Sequence, residues 1–497
     1  MKRLLVFLMV VLLSLTACDL LRSLSTPAAP DPWDVAWDDR ALFREGLVEA
    51  EQEVLDRLPD ASVYQIDLQI PDDCLLLQGR EEVRYTNQED VPLSEVYFRL
   101  YSNLLGGETI ISAVKVDGKD VEPAYEAANS AMRVPLPAAL QPGERVVIEM
   151  DFTVEVPQEM SGNYGLFCYF EGVLALNEFY PVIPVYDDEG WNVEIPPRSG
   201  DLTYLDASFY LVRVTAPAGL TVVASGVEIG RERKGDNQVL TLAAGPARDF
   251  YIVTSDRYTV TSKKVGETTV NSYAFPERTD GAKLALQYAV DAMASFNTRF
   301  GVYPYTEFDV VNTPMLALGM EYPGLVAIGL KLYDLDAEIS GIPSKFMLEP
   351  TVAHEVAHQW FYNAVGNDQV DEPWVDEAVV QYATGLYIAD IGGEEVAEGY
   401  RDSWYGRWDR VDRADIPIGM PTGAYEGKEY GAIVYGRGPI FVAALAEEMG
   451  EATFDEFLRD YYESHKWGIG TADGFRQLAE YHCQCDLTPL FEEWVYE

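Results

Sequence analysis

The chain has 497 residues, of which 82 are acidic and 36 are basic, so its formal net charge is −46. This length favours two or three domains over one compact core, and a hydrophobic content of 48% excludes wholesale disorder. The excess of acidic residues argues against a nucleic-acid partner, because phosphate binding requires clustered lysine and arginine.

The first residues resemble the secretion signal of a bacterial lipoprotein. Met1 is followed by the basic residues Lys2 and Arg3, and an apolar run over residues 4–13 comes next that is too short to span a bilayer. The sequence Leu-Thr-Ala-Cys that ends at Cys18 is similar to a lipobox. We therefore expect residues 1–17 to be a signal peptide. Lipidated Cys18 would anchor the protein to a bacterial membrane, at the cell surface or on the periplasmic face. An ordinary signal peptide with an incidental cysteine is the alternative.

A tether and a helix are predicted next. Residues 18–38 contain several prolines among small residues, which favours a semi-rigid tether. Residues 39–60 keep apolar side chains at helical spacing up to Pro59. We expect one helix here that packs on the body of the protein.

The rest of the chain predicts a multi-domain α+β fold. Within residues 61–257, runs such as 64–70 and 146–154 alternate apolar and polar residues, which is the period of a half-buried strand. This range is expected to form an antiparallel β domain, saddle-like or sandwich-like. Helical spacing dominates from residue 282 onward, so residues 258–497 are predicted to form a mostly helical domain.

Four cysteines remain beyond Cys18, and an oxidising compartment would permit disulfides. Only one residue separates Cys483 from Cys485, which we consider too close for a comfortable mutual bridge. The spacing also does not suit a zinc site. Buried free thiols and one long-range bridge that involves Cys74 or Cys168 are equally compatible with the sequence.

The helical half contains a His-Glu-x-x-His pattern. His354 and His358 are four residues apart with no Gly or Pro between them, so a helix places both imidazoles on one face, where they can bind one zinc ion. Glu355 lies beside them and can reach a water molecule without being a ligand. Glu377, in the first turns of a helix that Pro373 begins, is a candidate third ligand. On spacing alone, a surface glutamate is almost equally consistent.

These residues resemble the metal pattern of the zinc aminopeptidases related to aminopeptidase N, which are gluzincins with a thermolysin-like catalytic domain. Three further stretches of the chain are similar to motifs of that family. They are Gly319-Met320-Glu321-Tyr322-Pro323, Trp374-Val375-Asp376-Glu377-Ala378 and Tyr435-Gly436-Arg437-Gly438. Tyr322 and Asp376 stand where the family usually has asparagine.

The resemblance implies one Zn²⁺ per chain, bound by the two histidines and Glu377. It implies that Glu355 is the general base and acid, and that Tyr435 donates a hydrogen bond to the developing oxyanion. Glu321, in the motif that begins with Gly319, would bind the free α-ammonium group of the substrate. A second acid for the same group would be Glu178, contributed by the β domain.

The predicted function is a zinc metallopeptidase that releases N-terminal amino acids from peptides or unfolded protein ends at a membrane surface. Large family members add a helical C-terminal domain, and the residues that follow Tyr435 are too few for one, so a more open cleft is expected. An endopeptidase or a dipeptide-releasing peptidase of the same fold is one alternative. A catalytically silent, lipid-anchored binding protein is the other.

Overall fold

The computed structural model describes residues 31–197 and 200–496. The predicted signal peptide, Cys18 and most of the predicted tether lie outside these ranges. Within these ranges, no helix has the length and apolar character that crossing a membrane requires.

The strands are numbered in chain order. Strands β1 to β8 are Val63–Gln69, Leu76–Thr86, Leu93–Arg99, Glu108–Val116, Lys119–Asp120, Ala124–Glu126, Ala131–Leu140 and Arg145–Glu155. Strands β9 to β17 are Phe167–Phe170, Val173–Leu176, Tyr186–Asp187, Gly190–Trp191, Ser208–Pro217, Thr221–Ala224, Val227–Lys234, Asn237–Ala247 and Ile252–Ser255. Strands β18 to β24 are Thr259–Val265, Thr268–Ala274, Glu307–Thr313, Gly319–Tyr322, Leu325–Gly329, Glu338–Ile339 and Ile342–Pro343.

The helices concentrate in the second half of the chain. Helices α1 to α10 are Val54–Arg57, Thr279–Arg299, Ser344–Ala357, Trp374–Gly392, Glu394–Trp408, Glu429–Ala432, Gly438–Met449, Glu451–His465, Ala472–Cys483 and Thr488–Phe491. Residues Ile433–Arg437 form a π-helical turn between α6 and α7. The predicted order of a β-rich domain followed by a mostly helical domain is confirmed.

An eight-stranded sheet in the order β15-β16-β13-β1-β2-β8-β4-β5 dominates the first half. Strand β8 shows why it forms, because every second side chain from Val146 to Val154 is buried and the intervening ones face outward. Strand β1 pairs antiparallel with β2 and parallel with β13. A four-stranded sheet in the order β14-β17-β10-β9 and a three-stranded sheet of β3, β7 and β6 complete the main sheets of this half.

A five-stranded sheet in the order β18-β19-β20-β22-β21 carries the helical half. Its last strand, β21, pairs antiparallel with β22 and leaves one edge without a strand partner in the described structure. Helix α2 packs against this sheet and against α3. Strand β21 also contacts α3, so the edge of the sheet lies beside the helix that carries the His-Glu-x-x-His pattern.

The predicted helix over residues 39–60 is wrong. The segment forms 3-10 turns at Ala41–Gly46 and Glu49–Glu51, followed by the single turn α1. Helical hydrogen bonds are interrupted because the backbone there pairs with the helical half. Leu47 forms a β-bridge with Tyr305, and the Val48 N–H donates to the Pro304 carbonyl at 3.0 Å.

The expectation for the C-terminal cysteines is also wrong, because Cys483 and Cys485 form a disulfide with Cα atoms 5.2 Å apart. Gln484, between them, has a φ of +54° in the left-handed region at the end of α9. That turn brings the two sulfur atoms together within the usual Cα separation for a disulfide. Cys74 and Cys168 are buried free thiols.

A buried arginine joins the two halves. Arg248 follows β16 and is 1% exposed. Its guanidinium donates to the carbonyl oxygen of Leu205 in the β half, at 3.0 Å. It also donates to the carbonyl oxygens of Tyr362, Ala364 and Gly468 in the helical half, at 2.7, 3.1 and 2.5 Å. These four backbone acceptors satisfy a charge that burial would otherwise make costly.

Candidate active site

Three donor atoms from two neighbouring helices converge on one point. His354 lies in the last turn of α3, and His358 follows directly with helical backbone angles, so the two imidazoles share a face. Their Nε2 atoms are 3.3 Å apart. Glu377, in the first turn of α4, places its Oε2 atom 3.2 Å from His354 Nε2 and 3.6 Å from His358 Nε2.

This triangle fits a zinc ion. Ligands about 2.0–2.1 Å from a tetrahedral zinc lie about 3.3 Å from one another, which matches the three separations. Glu377 is 3% exposed, and its Oε2 atom accepts no hydrogen bond among the described residues. A buried carboxylate oxygen without a donor is costly unless a cation satisfies it. The donor set of two imidazoles and one carboxylate is one that zinc commonly takes.

The Nδ1 contact of His358 and the pKa of His354 suit zinc ligands, whereas for His358 burial, which lowers the pKa, is outweighed by Glu321 and Glu377, which raise it. His358 Nδ1 lies 3.1 Å from the carbonyl oxygen of Phe361, so a proton on Nδ1 leaves the Nε2 lone pair free for the metal. Burial lowers the pKa of His354, which favours the neutral imidazole.

Glu355 lies beside the triangle and packs against Gly319 of β21. This contact leaves no room for a side chain at position 319, because a Cβ atom there would lie 2.3 Å from Glu355 Oε1. Glu355 is 5% exposed. Burial, followed by repulsion from Glu321, raises the pKa of Glu355 well above its usual value, although His358 opposes the shift. A carboxylate with a raised pKa is suited to accept a proton and to return it.

Glu321 reaches the site from β21, and a hydrogen bond from Gln369 holds it there. Its Oε1 atom is 3.9 Å from His358 Nδ1 and accepts from Gln369 Nε2 at 3.2 Å. The same Gln369 amide nitrogen donates to Asp376 Oδ2 at 3.0 Å. Sequence reasoning missed Gln369, which lies in an irregular loop and carries no motif of its own. Glu321, Glu355 and His358 also form a possible ligand cluster, which shares its histidine with the triangle.

Gln359, the residue after the second histidine, ties the sheet edge to the end of α3. Its Nε2 atom donates to the carbonyl of Tyr322 at 3.0 Å, and its Oε1 atom accepts from the Gly324 N–H at 3.0 Å. Both contacts are to the turn between β21 and β22. They fix the position of Glu321 relative to the metal triangle.

Glu178 lies away from the triangle, in a small adjoining cavity of about 20 Å³ that Glu321 also lines. Glu178 is 3% exposed and has a φ of +47°. Sequence reasoning missed two further acids of this cavity, Asp201 and Asp249. Neither belongs to a recognisable motif, and only the packing of the β half against β21 brings them here.

Tyr435 lies in the π-helical turn, and its hydroxyl donates a short hydrogen bond to Glu377 Oε1. Its ring centroid is 6.1 Å from that of His354. In this structure the phenol therefore bonds to the second oxygen of the candidate third ligand. The π-helical turn widens the backbone locally, as such turns often do at functional sites.

Known proteins share stretches of this sequence and its fold. Residues 284–494 match the peptidase family M1 domain. The chain is 22% identical over 477 residues to aminopeptidase 2 of Candida albicans, a match that covers 90% of this chain and 48% of that protein. It is 23% identical over 460 residues to a probable aminopeptidase 2 of Sulfurisphaera tokodaii, covering 87% of this chain and 53% of that one. The chain thus spans about half the length of these relatives.

Solved structures share the fold. The crystal structure of an M1 zinc metallopeptidase from Deinococcus radiodurans superposes with a TM-score of 0.64 at 20% identity, covering 88% of this chain and 93% of that one. A mutant of that protein, solved with a bound Tyr-Ser-Ala substrate, gives a TM-score of 0.62 at 19% identity and covers 88% of this chain and 94% of that one.

Proposed function

We propose that the protein is a zinc-dependent aminopeptidase that releases N-terminal amino acids from peptides, because residues 284–494 match the peptidase family M1 domain. The observation that carries the proposal is the triangle of His354, His358 and Glu377 donor atoms, with separations of 3.2–3.6 Å. Glu355 lies next to it, and a second group of buried carboxylates lies in the adjoining cavity.

Zinc is the metal that the family and this donor set imply, with His354, His358 and Glu377 as its ligands. When bound, it supplies Lewis acidity to the scissile carbonyl and to a water molecule. Glu355 takes a proton from that water as its oxygen attacks the carbonyl carbon. Glu355 then gives the proton to the leaving nitrogen, so the peptide bond breaks and a free amine departs.

Tyr435 stabilises the negative charge that develops on the carbonyl oxygen. Its hydroxyl bonds to Glu377 Oε1 in the present structure, close to where a substrate carbonyl must lie. Transfer of this hydrogen bond from the carboxylate to the substrate oxygen would favour the transition state over the ground state.

Glu321 and Glu178 bind the α-ammonium group of the substrate. Both are buried, both line the same cavity, and Glu321 is 3.9 Å from a histidine of the triangle. A buried carboxylate gains most from a cation that it can pair with directly. The distance between this cavity and the triangle then sets cleavage at the first peptide bond.

The decisive experiment compares peptides with free and N-acetylated termini, before and after removal of zinc by a chelator. We expect hydrolysis of the free peptides only, with activity lost on chelation and restored by zinc. Equal cleavage of acetylated peptides would establish an endopeptidase, and release of dipeptides would establish the other peptidase alternative. A protein with one zinc per chain that cleaves no peptide would be a silent binding protein.

We also propose that the protein acts at a bacterial membrane surface through lipidated Cys18. The apolar run and the lipobox-like sequence before Cys18 support this. Export to the outer side of the membrane would bring the site to extracytoplasmic peptides. Fractionation of cells that express the full chain tests the proposal, because Cys18→Ser should move the protein from the membrane to the soluble fraction.

A further inference from the structure

The turn that carries Tyr435 lies against helix α5. It is π-helical, spans Ile433–Arg437 and packs directly on that helix. π-Helical turns are rare in proteins and occur mostly at functional sites, so contacts from neighbouring elements matter to whether such a turn keeps its geometry. The direction of the Tyr435 side chain therefore depends on what α5 contributes.

The closest contact between the two elements is at Gly436. A Cβ atom at this position would lie 2.9 Å from the carbonyl oxygen of Trp404, and 3.0 Å from both Arg407 Cβ and the backbone nitrogen of Trp408. Two of these three atoms belong to the backbone of α5, which does not move aside as the end of a flexible side chain does. The lack of a side chain at position 436 thus lets the turn lie directly on the C-terminal end of α5.

Arg407, in the last turn of α5, directs its side chain to Tyr435. Its Nη1 atom donates to the Tyr435 carbonyl oxygen at 3.1 Å, and its guanidinium carbon lies 5.9 Å from the centroid of the Tyr435 ring. Among the described residues, this half-buried guanidinium has no other hydrogen-bond acceptor and no carboxylate partner. The nearby Arg401 and Arg413 each pair with an acidic side chain instead. The contacts of Arg407 are thus directed to one residue of the site.

We propose that Arg407 is a positioning residue for Tyr435, which holds the π-helical turn so that the phenol lies beside the scissile carbonyl. The inference rests on the proposed function for the role of Tyr435 in the reaction. A charge-assisted hydrogen bond is stronger than a neutral one, and here it holds the backbone of the residue whose hydroxyl reaches Glu377. A displacement of about 1 Å can cost roughly 10²-fold in rate, so a residue that does not touch the substrate can still determine kcat.

Steady-state kinetics of the zinc-loaded full chain, on a peptide with a free N-terminus, tests this role. Arg407→Met keeps an unbranched side chain of similar helix propensity but has no N–H donor, so kcat should fall about 10- to 100-fold with little change in KM. Arg407→Lys keeps a charged donor and should recover most of the rate. Arg410→Met removes the same charge at an exposed position nearby and should leave kcat unchanged. A wild-type kcat in Arg407→Met would overturn the proposal.

A double variant shows whether Arg407 acts through Tyr435. If it does, Arg407→Met should lower kcat much less in a Tyr435→Phe background than in the wild type, because the displaced ring no longer carries the donor. Equal factors in both backgrounds would contradict the positioning role. Gly436→Ala should also lower kcat with little change in KM, since the added methyl group pushes the turn away from α5. A wild-type kcat in that variant would show that the close contact is not needed.

A readout without turnover separates this inference from the proposed function. A fluorinated tyrosine introduced at position 435 of the zinc-loaded full chain reports on the surroundings of the phenol through its fluorine NMR signal. We expect Arg407→Met to shift or split this signal and Arg410→Met to leave it unchanged. If the signal responds in this way but the wild type cleaves no peptide, Arg407 positions Tyr435 and the peptidase proposal fails. If peptides are cleaved and Arg407→Met changes neither the signal nor kcat, the peptidase proposal stands and the positioning role fails.

Discussion

The phenol ring of Tyr322 stacks on that of Tyr251, with ring centroids 3.8 Å apart and planes 3° from parallel. Tyr322 ends β21 in the helical half, and Tyr251 precedes β17 in the β half. The pair lies in a small apolar cluster shared by the two halves. Because Glu321 is the neighbour of Tyr322, this contact holds Glu321, the proposed amine-binding acid, against the β half.

Loss of the stacked ring should therefore disturb both stability and substrate binding. Tyr322→Asn should cost about 3 kcal/mol of unfolding free energy, as removal of a buried aromatic ring does. It should also raise KM for free peptides. Tyr322→Phe is the control and should stay within about 1 kcal/mol of the wild type, because the Tyr322 hydroxyl has no partner among the described residues. Denaturant unfolding and peptidase kinetics measure both effects, and a fully stable Asn variant would contradict the buttressing role.

Glu377→Ala should release zinc. The loss of a ligand should weaken zinc binding by more than the roughly 10–100-fold that loss of a supporting residue costs. Zinc content after dialysis, measured by elemental analysis, gives the result. Glu395→Ala removes an exposed acid of the following helix and should keep the metal. A Glu377→Ala protein with full zinc content would remove Glu377 from the ligand set.

Glu355→Gln should keep zinc and lose turnover. The amide has the size of the carboxylate, so the triangle stays intact, but it cannot accept the proton. We expect kcat to fall about 10²–10⁴-fold. Zinc content and kcat are measured on the same preparation, and loss of the metal together with activity would contradict the assignment of Glu355 as the base.

Tyr435→Phe should lower kcat about 10²–10³-fold with little change in KM, because the lost hydrogen bond forms in the transition state. The structure offers a second role, since the hydroxyl also bonds to Glu377. Zinc affinity distinguishes the two roles. A variant that binds zinc much more weakly would show that Tyr435 acts by holding the ligand.

Glu81 gives a prediction outside the site. This residue of β2 is 0% exposed, neither carboxylate oxygen has a partner among the described residues, and burial raises its pKa well above the usual value. The folded protein therefore keeps a proton that the unfolded chain releases near pH 4.3. The contribution of this proton to the free energy of unfolding is therefore complete below that pH and is lost as the pH rises.

Glu81→Met should remove this pH dependence. The stability of the variant relative to the wild type should increase between pH 5 and pH 8, by up to about 1.4 kcal/mol per pH unit. Guanidinium unfolding at both pH values provides the measurement. Glu82→Met changes the adjacent residue on the opposite, more exposed face of β2 and should show a much smaller trend. Parallel stability profiles for the wild type and Glu81→Met would refute the argument.

The sequence predicts best where a short-range pattern determines the structure. His354 and His358 share one face because helical spacing is a local feature, whereas Glu377 was assigned through the family resemblance, since spacing alone left a surface glutamate almost equally consistent. The segment over residues 39–60 was mispredicted because its hydrogen bonds go to Pro304 and Tyr305, far along the chain. No local pattern could reveal those partners.

The acids of the cavity show the same limit within the site. Asp249 and Gln369 have no motif, and they reach the site only because the two halves pack together. The prediction for Cys483 and Cys485 was wrong for a different reason. Their disulfide depends on the left-handed backbone of Gln484. The expectation that one intervening residue is too few for a disulfide assumes an extended chain, so it does not account for such a turn.

Arg248 has a consequence for how the molecule comes apart. Arg248 belongs to the β half, yet three of the four carbonyl oxygens that accept hydrogen bonds from its side chain belong to the helical half. If the two halves separated, the Arg248 guanidinium would lose those three acceptors together. The loop that follows helix α3, which contains two of them, would then be exposed. The molecule should therefore melt in a single calorimetric transition, and no heated intermediate should retain an intact metal site beside an unfolded β half.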